Sequence, residues 1–184
     1  MADIWLTEEQ AKQIVQHAAQ SRPEEACGVI AGRDERADEI IPVVNVAADR
    51  QRNYEMNPAA LAALLPELDG RGLKILAFYH SHPKGSPRPS TTDVRDANYP
   101  DVLYVIVGFG GTSPELGAWE IANGRVLPAD LHIGALPSTR IPDPFQLSRS
   151  RHAAILISVV IALALLIVIS LQLLPPAPPL PVIH

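Results

Sequence analysis

Residues 73–93 read LKILAFYHSHPKGSPRPSTTD. Leu73–His80 is an apolar, partly aromatic run that predicts a buried strand. Side chains two apart on a strand share a face, so His80 and His82 point the same way if the strand continues to its end. Two imidazoles on one face can share a metal ion. By itself the pair reads as two partly exposed histidines. Pro83, Pro87 and Pro89 stiffen the loop that follows. Ser90-Thr91-Thr92-Asp93 then has the form of a helix capping box, with an acid in the first turn. Asp93 also offers an oxygen ligand, and two histidines plus a carboxylate with one open position is a catalytic zinc pattern. The two readings of Asp93 are compatible, because a helix N-terminus can present that side chain toward a metal.

Upstream, Thr7-Glu8-Glu9-Gln10 predicts a helix from Glu8 with an apolar face of Ile14, Val15, Ala18 and Ala19. Ala26–Ala31, ACGVIA, reads as a buried strand. Glu25 leads into it. A glutamate there is ordinarily a solvated strand end, and it gains a role only if the fold brings it beside the histidines, where a carboxylate can serve as base. Glu39–Val46 predicts a second strand, with an edge or bulge at Pro42. Tyr54–Met56 predicts a short third. Asn57-Pro58 caps a helix that carries Leu61, Leu64, Leu65 and Leu68 and ends at Gly70. Downstream, Val102–Val107 is a buried strand, and Asn123-Gly124 joins Ala118–Ala122 to Arg125–Leu131 as a hairpin. Helices alternating with strands, then a meander, predict an α/β or α+β domain with a mixed sheet.

The whole chain has 184 residues, of which 47% are apolar and 19% charged. That excludes a disordered chain and suits one domain with an appendage. A single cysteine, Cys27, excludes an internal disulfide framework and a cysteine-based zinc cluster. Its position within an apolar strand predicts a packed thiol. The formal charge of −5 argues against nucleic acid as a partner. Residues 1–136 carry 12 basic and 19 acidic residues and form the expected soluble domain. Residues 137–152 are a Pro/Arg linker.

Ala153–Leu174 holds no charged residue. As a helix it would be about 33 Å long, against a hydrocarbon core of about 30 Å, and it is apolar on every face. It predicts a single-pass, C-terminal membrane anchor in contact with lipid. Arg140, Arg149 and Arg151 precede it and no Lys or Arg follows, which places the N-terminal domain in the cytoplasm. Residues 175–184 form a Pro-rich tail, expected to be extended.

Glu25-x-x-Gly28, His80-x-His82, seven residues and Ser90-x-x-Asp93 together resemble the JAMM/MPN+ metalloprotease family. The flanks PEEACGVIAG, NYEMNP, YHSHP, RPSTTD and VLYVIV resemble its compact prokaryotic members, over roughly residues 4–133. The resemblance implies an MPN-like, cytidine-deaminase-like fold, with a curved mixed sheet flanked by helices. It implies one Zn2+ per chain, held by His80, His82 and Asp93 with water as the fourth ligand. Glu25 would be general base and then general acid, and Ser90 would stabilise the oxyanion. None of these positions is altered, so the inactive MPN scaffolds are a poor match.

The implied activity is hydrolysis of the peptide or isopeptide bond after the C-terminal Gly-Gly of a ubiquitin-like or sulfur-carrier protein. Only eight residues separate Asp93 from Val102, which leaves no room there for the long insertion of chain-selective deubiquitinases. Two alternatives remain at this level. One is a membrane-tethered binding module that recruits ubiquitin-fold proteins with little or no hydrolysis. The other is cleavage of small acyl–amino acid adducts on a sulfur carrier. Lys84 and Arg88, beside the site, are placed either to meet a substrate or simply to be solvated.

Overall fold

The computed structural model describes residues 2–134. In chain order these form β1 (Asp3–Leu6), α1 (Glu8–Ser21), β2 (Cys27–Arg33), β3 (Arg36–Val43), α2 (Pro58–Gly70), β4 (Lys74–His82), α3 (Thr91–Asp96), β5 (Leu103–Gly108), β6 (Glu115–Ala122) and β7 (Arg125–Ile133). The strand order is β1-β3-β2-β4-β5-β6-β7, and it closes because β1 pairs with both β3 and β7. The pairs β4–β5, β1–β3 and β1–β7 are parallel and the rest antiparallel, so the sheet is mixed, as expected.

Period-two alternation gives the sheet two apolar faces. One carries Ile30, Ala77, Tyr79, Val105 and Val107 and packs on Ile14 and Ala18 of α1. The other carries Val29, Ala31, Phe78, Tyr104 and Ile121 and packs on Leu68 of α2. His80 and His82 follow Phe78 at the same parity, so they lie on the α2 face.

The capping box forms at α1: Gln10 N donates to Thr7 Oγ1 at 3.1 Å, and Thr7 N donates to Gln10 Oε1 at 2.8 Å. Ala11, Ile14 and Ala18 are buried, whereas Ala19, expected on the apolar face, is exposed. It sits about 100° around the helix from Ala18, off the buried stripe. The Asn123-Gly124 hairpin forms as predicted, with φ of 52° and 73°.

Three expectations shift. Strand β1 was not foreseen, since four residues whose partners lie in β3 and β7 leave little local pattern. The strand expected at Glu39–Val46 starts earlier, because Asp34 and Glu35 make the tight turn at φ of 46° and 68° without a glycine to announce it. Tyr54–Met56 contributes only an isolated bridge, Asn45↔Met56. The Asn45 side chain takes backbone hydrogen bonds that a longer strand pair would use, with Oδ1 accepting from Ala47 N and Glu55 N.

Gly28 shows why the glycine is needed. A Cβ there would overlap the Tyr79 ring and lie 2.5 Å from the Ile41 carbonyl. The Tyr79 ring crosses β2 at this point to bring its hydroxyl 2.9 Å from His17 Nδ1. Gly28→Ala is therefore expected to destabilise the domain by about 1–3 kcal/mol, the usual cost of overpacking, as read by urea unfolding.

Among the described residues no helix is long and apolar enough to cross a membrane. The anchor expected at 153–174, the linker 137–152 and the tail 175–184 lie outside the described residues.

Candidate active site

Strand β4 carries His80 and His82 to its C-terminal end. His80 is fully buried and His82 nearly so, with a side-chain exposure of 13%. The loop 83–89 leads into α3, whose N-cap is Ser90. Ser90 Oγ accepts from Asp93 N at 3.1 Å, and Asp93 Oδ2 accepts from Ser90 N at 2.6 Å. The capping box is thus real, and it aims the Asp93 carboxylate at the histidines. Asp93 Oδ1 lies 3.4 Å from His80 Nε2, and Oδ2 lies 3.2 Å from His82 Nε2.

The two Nε2 atoms face one another at 3.1 Å. One nitrogen from each histidine and a carboxylate oxygen all fall within 4.8 Å of one another. His80 Nδ1 is buried without a partner among the described residues, so the polar contacts of this ring lie on its Nε2 side. His82 Nδ1 lies 3.0 Å from the Ser86 carbonyl. A proton on Nδ1 donates to that oxygen and leaves the Nε2 lone pair for a metal. Two imidazole nitrogens and one carboxylate suit Zn2+ better than a hard cation that prefers oxygen donors. The donor set fits the metal that the motif implied.

Electrostatics agree with a buried, charge-rich pocket. Burial opposes ionisation of Asp93, but hydrogen bonds from His80 and His82 hold its carboxyl well below the usual range. Burial lowers the pKa of His80. Burial also works against a charged His82, yet Asp93, the Ser86 carbonyl and Glu25 raise its pKa.

Glu25 stands two residues before the first residue of β2, Cys27. The β2–β4 register pairs Cys27 with His80, and Ser81 N donates to Ala26 O at 3.0 Å. Continuing that register sets Glu25 across from His82, on the same face. Glu25 is 6% exposed, so it is not the solvated strand end its sequence context suggested. Burial pushes its pKa up to about 7, with His82 opposing and Asp93 and Asp49 adding to the shift.

Several supporting residues were not legible as such in the sequence. Ser81 is buried and its Oγ accepts from Ala26 N at 2.9 Å, which ties the Glu25 segment to β4. Asn45 Nδ2 donates to the Glu25 carbonyl at 2.9 Å and to Asn53 O at 3.1 Å. Tyr54 stacks on the His80 ring at 4.2 Å and 19°. Tyr54 lies within the segment NYEMNP and Asn45 lies upstream of it, and their roles depend on contacts across the fold. Asn45→Ala should leave metal content unchanged and lower kcat/KM by about tenfold or more through misplacement of Glu25. Zinc analysis and steady-state kinetics on the same sample check it.

The remaining candidates divide. Cys27 is buried, as expected, with Sγ 3.4 Å from the Val43 carbonyl and its pKa pushed up to about 12 by burial. His132 stacks on Trp5 at 3.9 Å. Arg88 lies over the Trp119 ring at 5.9 Å. Lys84 is exposed. A cavity of about 630 Å3 opens beside Asp93, lined by Tyr54, Met56, Phe78, Tyr99 and Tyr104 among others.

A closed mixed sheet that presents His-x-His from one strand, an aspartate from the next helix and a buried glutamate across from them defines a metal-site domain of JAB/MPN type. The chain belongs to that family: residues 7–122 match the prokaryotic homologs of the JAB domain. The desampylase of Haloferax volcanii is 40% identical over 92 residues, which cover 48% of this chain and 66% of that protein. The CysO-cysteine peptidase of Mycobacterium tuberculosis is 32% identical over 117 residues, covering 61% of this chain and 79% of that protein. A Desulfitobacterium hafniense protein of known solution structure superposes with a TM-score of 0.66 at 25% identity, covering 74% of this chain and 97% of that one. The match to the desampylase spans just under two thirds of that relative's length.

Proposed function

We propose that the chain is a zinc-dependent JAMM-type peptidase. In this reading it hydrolyses the peptide or isopeptide bond after the C-terminal Gly-Gly of a ubiquitin-like or sulfur-carrier protein. The observation that carries the reading is the convergence of His80, His82 and Asp93 within 4.8 Å, with the buried Glu25 across from His82. The names of a desampylase and a CysO-cysteine peptidase among its relatives support the substrate class.

His80, His82 and Asp93 would hold Zn2+. Bound there, zinc supplies Lewis acidity toward a carbonyl and a lower pKa for water. Glu25 takes the proton from the attacking water as its oxygen adds to the amide carbon. It then returns that proton to the leaving amine. A carboxyl whose pKa is raised to about 7 suits both steps, because it gains and loses a proton near neutral pH. Ser90 Oγ accepts from Asp93 N, which leaves its O–H to donate to the developing oxyanion. The cavity beside Asp93 gives an extended Gly-Gly tail a place to lie.

The membrane anchor at 153–174, with the catalytic domain in the cytoplasm, belongs to the same proposal and rests on the sequence alone. A reporter fused after His184 that proved cytoplasmic would overturn it.

The test incubates the full chain with a ubiquitin-fold carrier joined through Gly-Gly to a lysine side chain or to free cysteine. Cleavage of the first adduct supports deconjugation, and cleavage of the second supports sulfur-carrier processing. About one zinc per chain with no cleavage of either would favour the recruiting module, and no zinc would sink the metal reading.

A further inference from the structure

His82 serves as a ligand only while its ring is held with Nδ1 toward the Ser86 carbonyl, 3.0 Å away. That carbonyl belongs to an irregular loop, 83–89, in which Lys84, Ser86 and Arg88 are exposed. A loop carbonyl orients a ligand only if something fixes the loop.

The fixing groups come from the next two strands beyond β4 in the sheet, β5 with the turn after it and β6. Trp119 of β6 donates from Nε1 to the Pro87 carbonyl at 2.8 Å. Proline has a locked φ, so gripping the Pro87 carbonyl constrains the Ser86–Pro87 peptide whose oxygen meets His82. Gly110 N donates to the Gly85 carbonyl at 2.8 Å. The sheet beneath is cut away to receive the loop. Gly108 pairs with His82 across β4–β5. A Cβ on Gly108 would overlap Pro87 N and lie 2.5 Å from the Ser86 carbonyl carbon. A Cβ on Gly117 would lie 2.6 Å from the Pro87 oxygen and 3.0 Å from Trp119 Nε1. Arg88, over the same indole at 5.9 Å, closes the contact from the loop side.

We propose that Trp119, seated with Gly108 and Gly117, is a positioning residue for the metal ligand His82. It acts through Pro87 and the Ser86 carbonyl. This inference rests on the metal reading above and adds a determinant that lies outside the motif, in another strand.

Zinc affinity of the full chain is measured by chelator competition for the wild type, Trp119→Phe, Gly117→Ala and Val105→Ala, with the visible spectrum of each Co2+-loaded protein beside it. Trp119→Phe removes the indole donor and keeps an aromatic ring at the position, with some loss of packing volume. Gly117→Ala crowds the Pro87 carbonyl, with the indole nitrogen 3.0 Å from the added Cβ, while leaving the indole donor in the sequence, and it carries the test if the first variant fails to fold. Val105→Ala weakens the opposite face of the core, where Val105 is buried.

Both loop-seat variants are expected to bind zinc about tenfold more weakly, the scale of a lost outer-shell partner, with an altered Co2+ spectrum. Val105→Ala should lower thermal stability and keep wild-type affinity. Wild-type affinity in both loop-seat variants would overturn the proposal, as would an equal loss in Val105→Ala. A wild-type chain that binds no zinc would overturn the metal reading itself, and this inference with it.

Discussion

Glu25→Gln is expected to keep about one zinc per chain and to lose turnover by about 10²–10⁴-fold, the range for a positioned acid–base group. Glutamine keeps the size and the hydrogen-bonding oxygen but cannot carry the proton. Glu25 is not among the three converging donors, so metal binding should survive. Loss of zinc together with loss of activity would show that Glu25 acts as a ligand or a fold determinant instead.

The same substitution has a pH signature in the metal-free protein. The folded-state pKa of Glu25 is raised to about 7 from 4.5. Between those values the unfolded chain releases the proton before the folded chain does. The stability that the protonated carboxyl carries is therefore fully present below about pH 4.5 and lost as pH rises through about 7. Glu25→Gln removes this dependence. The metal-free variant should gain on the order of 2 kcal/mol over the metal-free wild type at pH 8 and nothing at pH 4.5. Denaturant titrations at the two pH values check the sign.

Asp93→Asn carries the other large effect. The aspartate does two jobs: it accepts from Ser90 N in the capping box, and it lies within 3.4 Å of both His Nε2 atoms. Asparagine retains an oxygen for the Ser90 N–H, so the N-terminus of α3 should persist. The anionic oxygen is lost. A ligand should matter at least as much as an outer-shell partner, so zinc affinity is expected to fall by at least about a hundredfold, and activity with it. Unchanged zinc binding in Asp93→Asn would reduce the aspartate to a helix cap. Circular dichroism of the variant separates a lost helix from a lost metal.

How much of this was legible differs from residue to residue. The capping boxes at Thr7 and Ser90, the Asn123-Gly124 hairpin and the strand that ends in His80 and His82 each involve groups within a few residues of one another. Their physics is local, and reading the chain was enough. The spacing His-x-His, seven residues, Ser-x-x-Asp belongs to the same kind, because one strand, one loop and one helical turn span it.

Glu25 marks the boundary. In sequence it is a charged residue before a strand, and only the resemblance implied a catalytic role for it. The β2–β4 register, with Cys27 opposite His80, is what sets it across from His82 and buries it. Burial in turn produces the raised pKa. Asn45, Tyr54, Ser81 and Trp119 stand further still from local signals, since each acts on a partner between 20 and 55 residues away. The sequence by itself determined the mixed-sheet class, the metal-ligand types and their spacing, because those depend on backbone periodicity and side-chain chemistry. The tertiary structure alone decided which groups meet: pairing register and sheet closure bring together residues that no local pattern connects. Burial at those meetings sets their protonation.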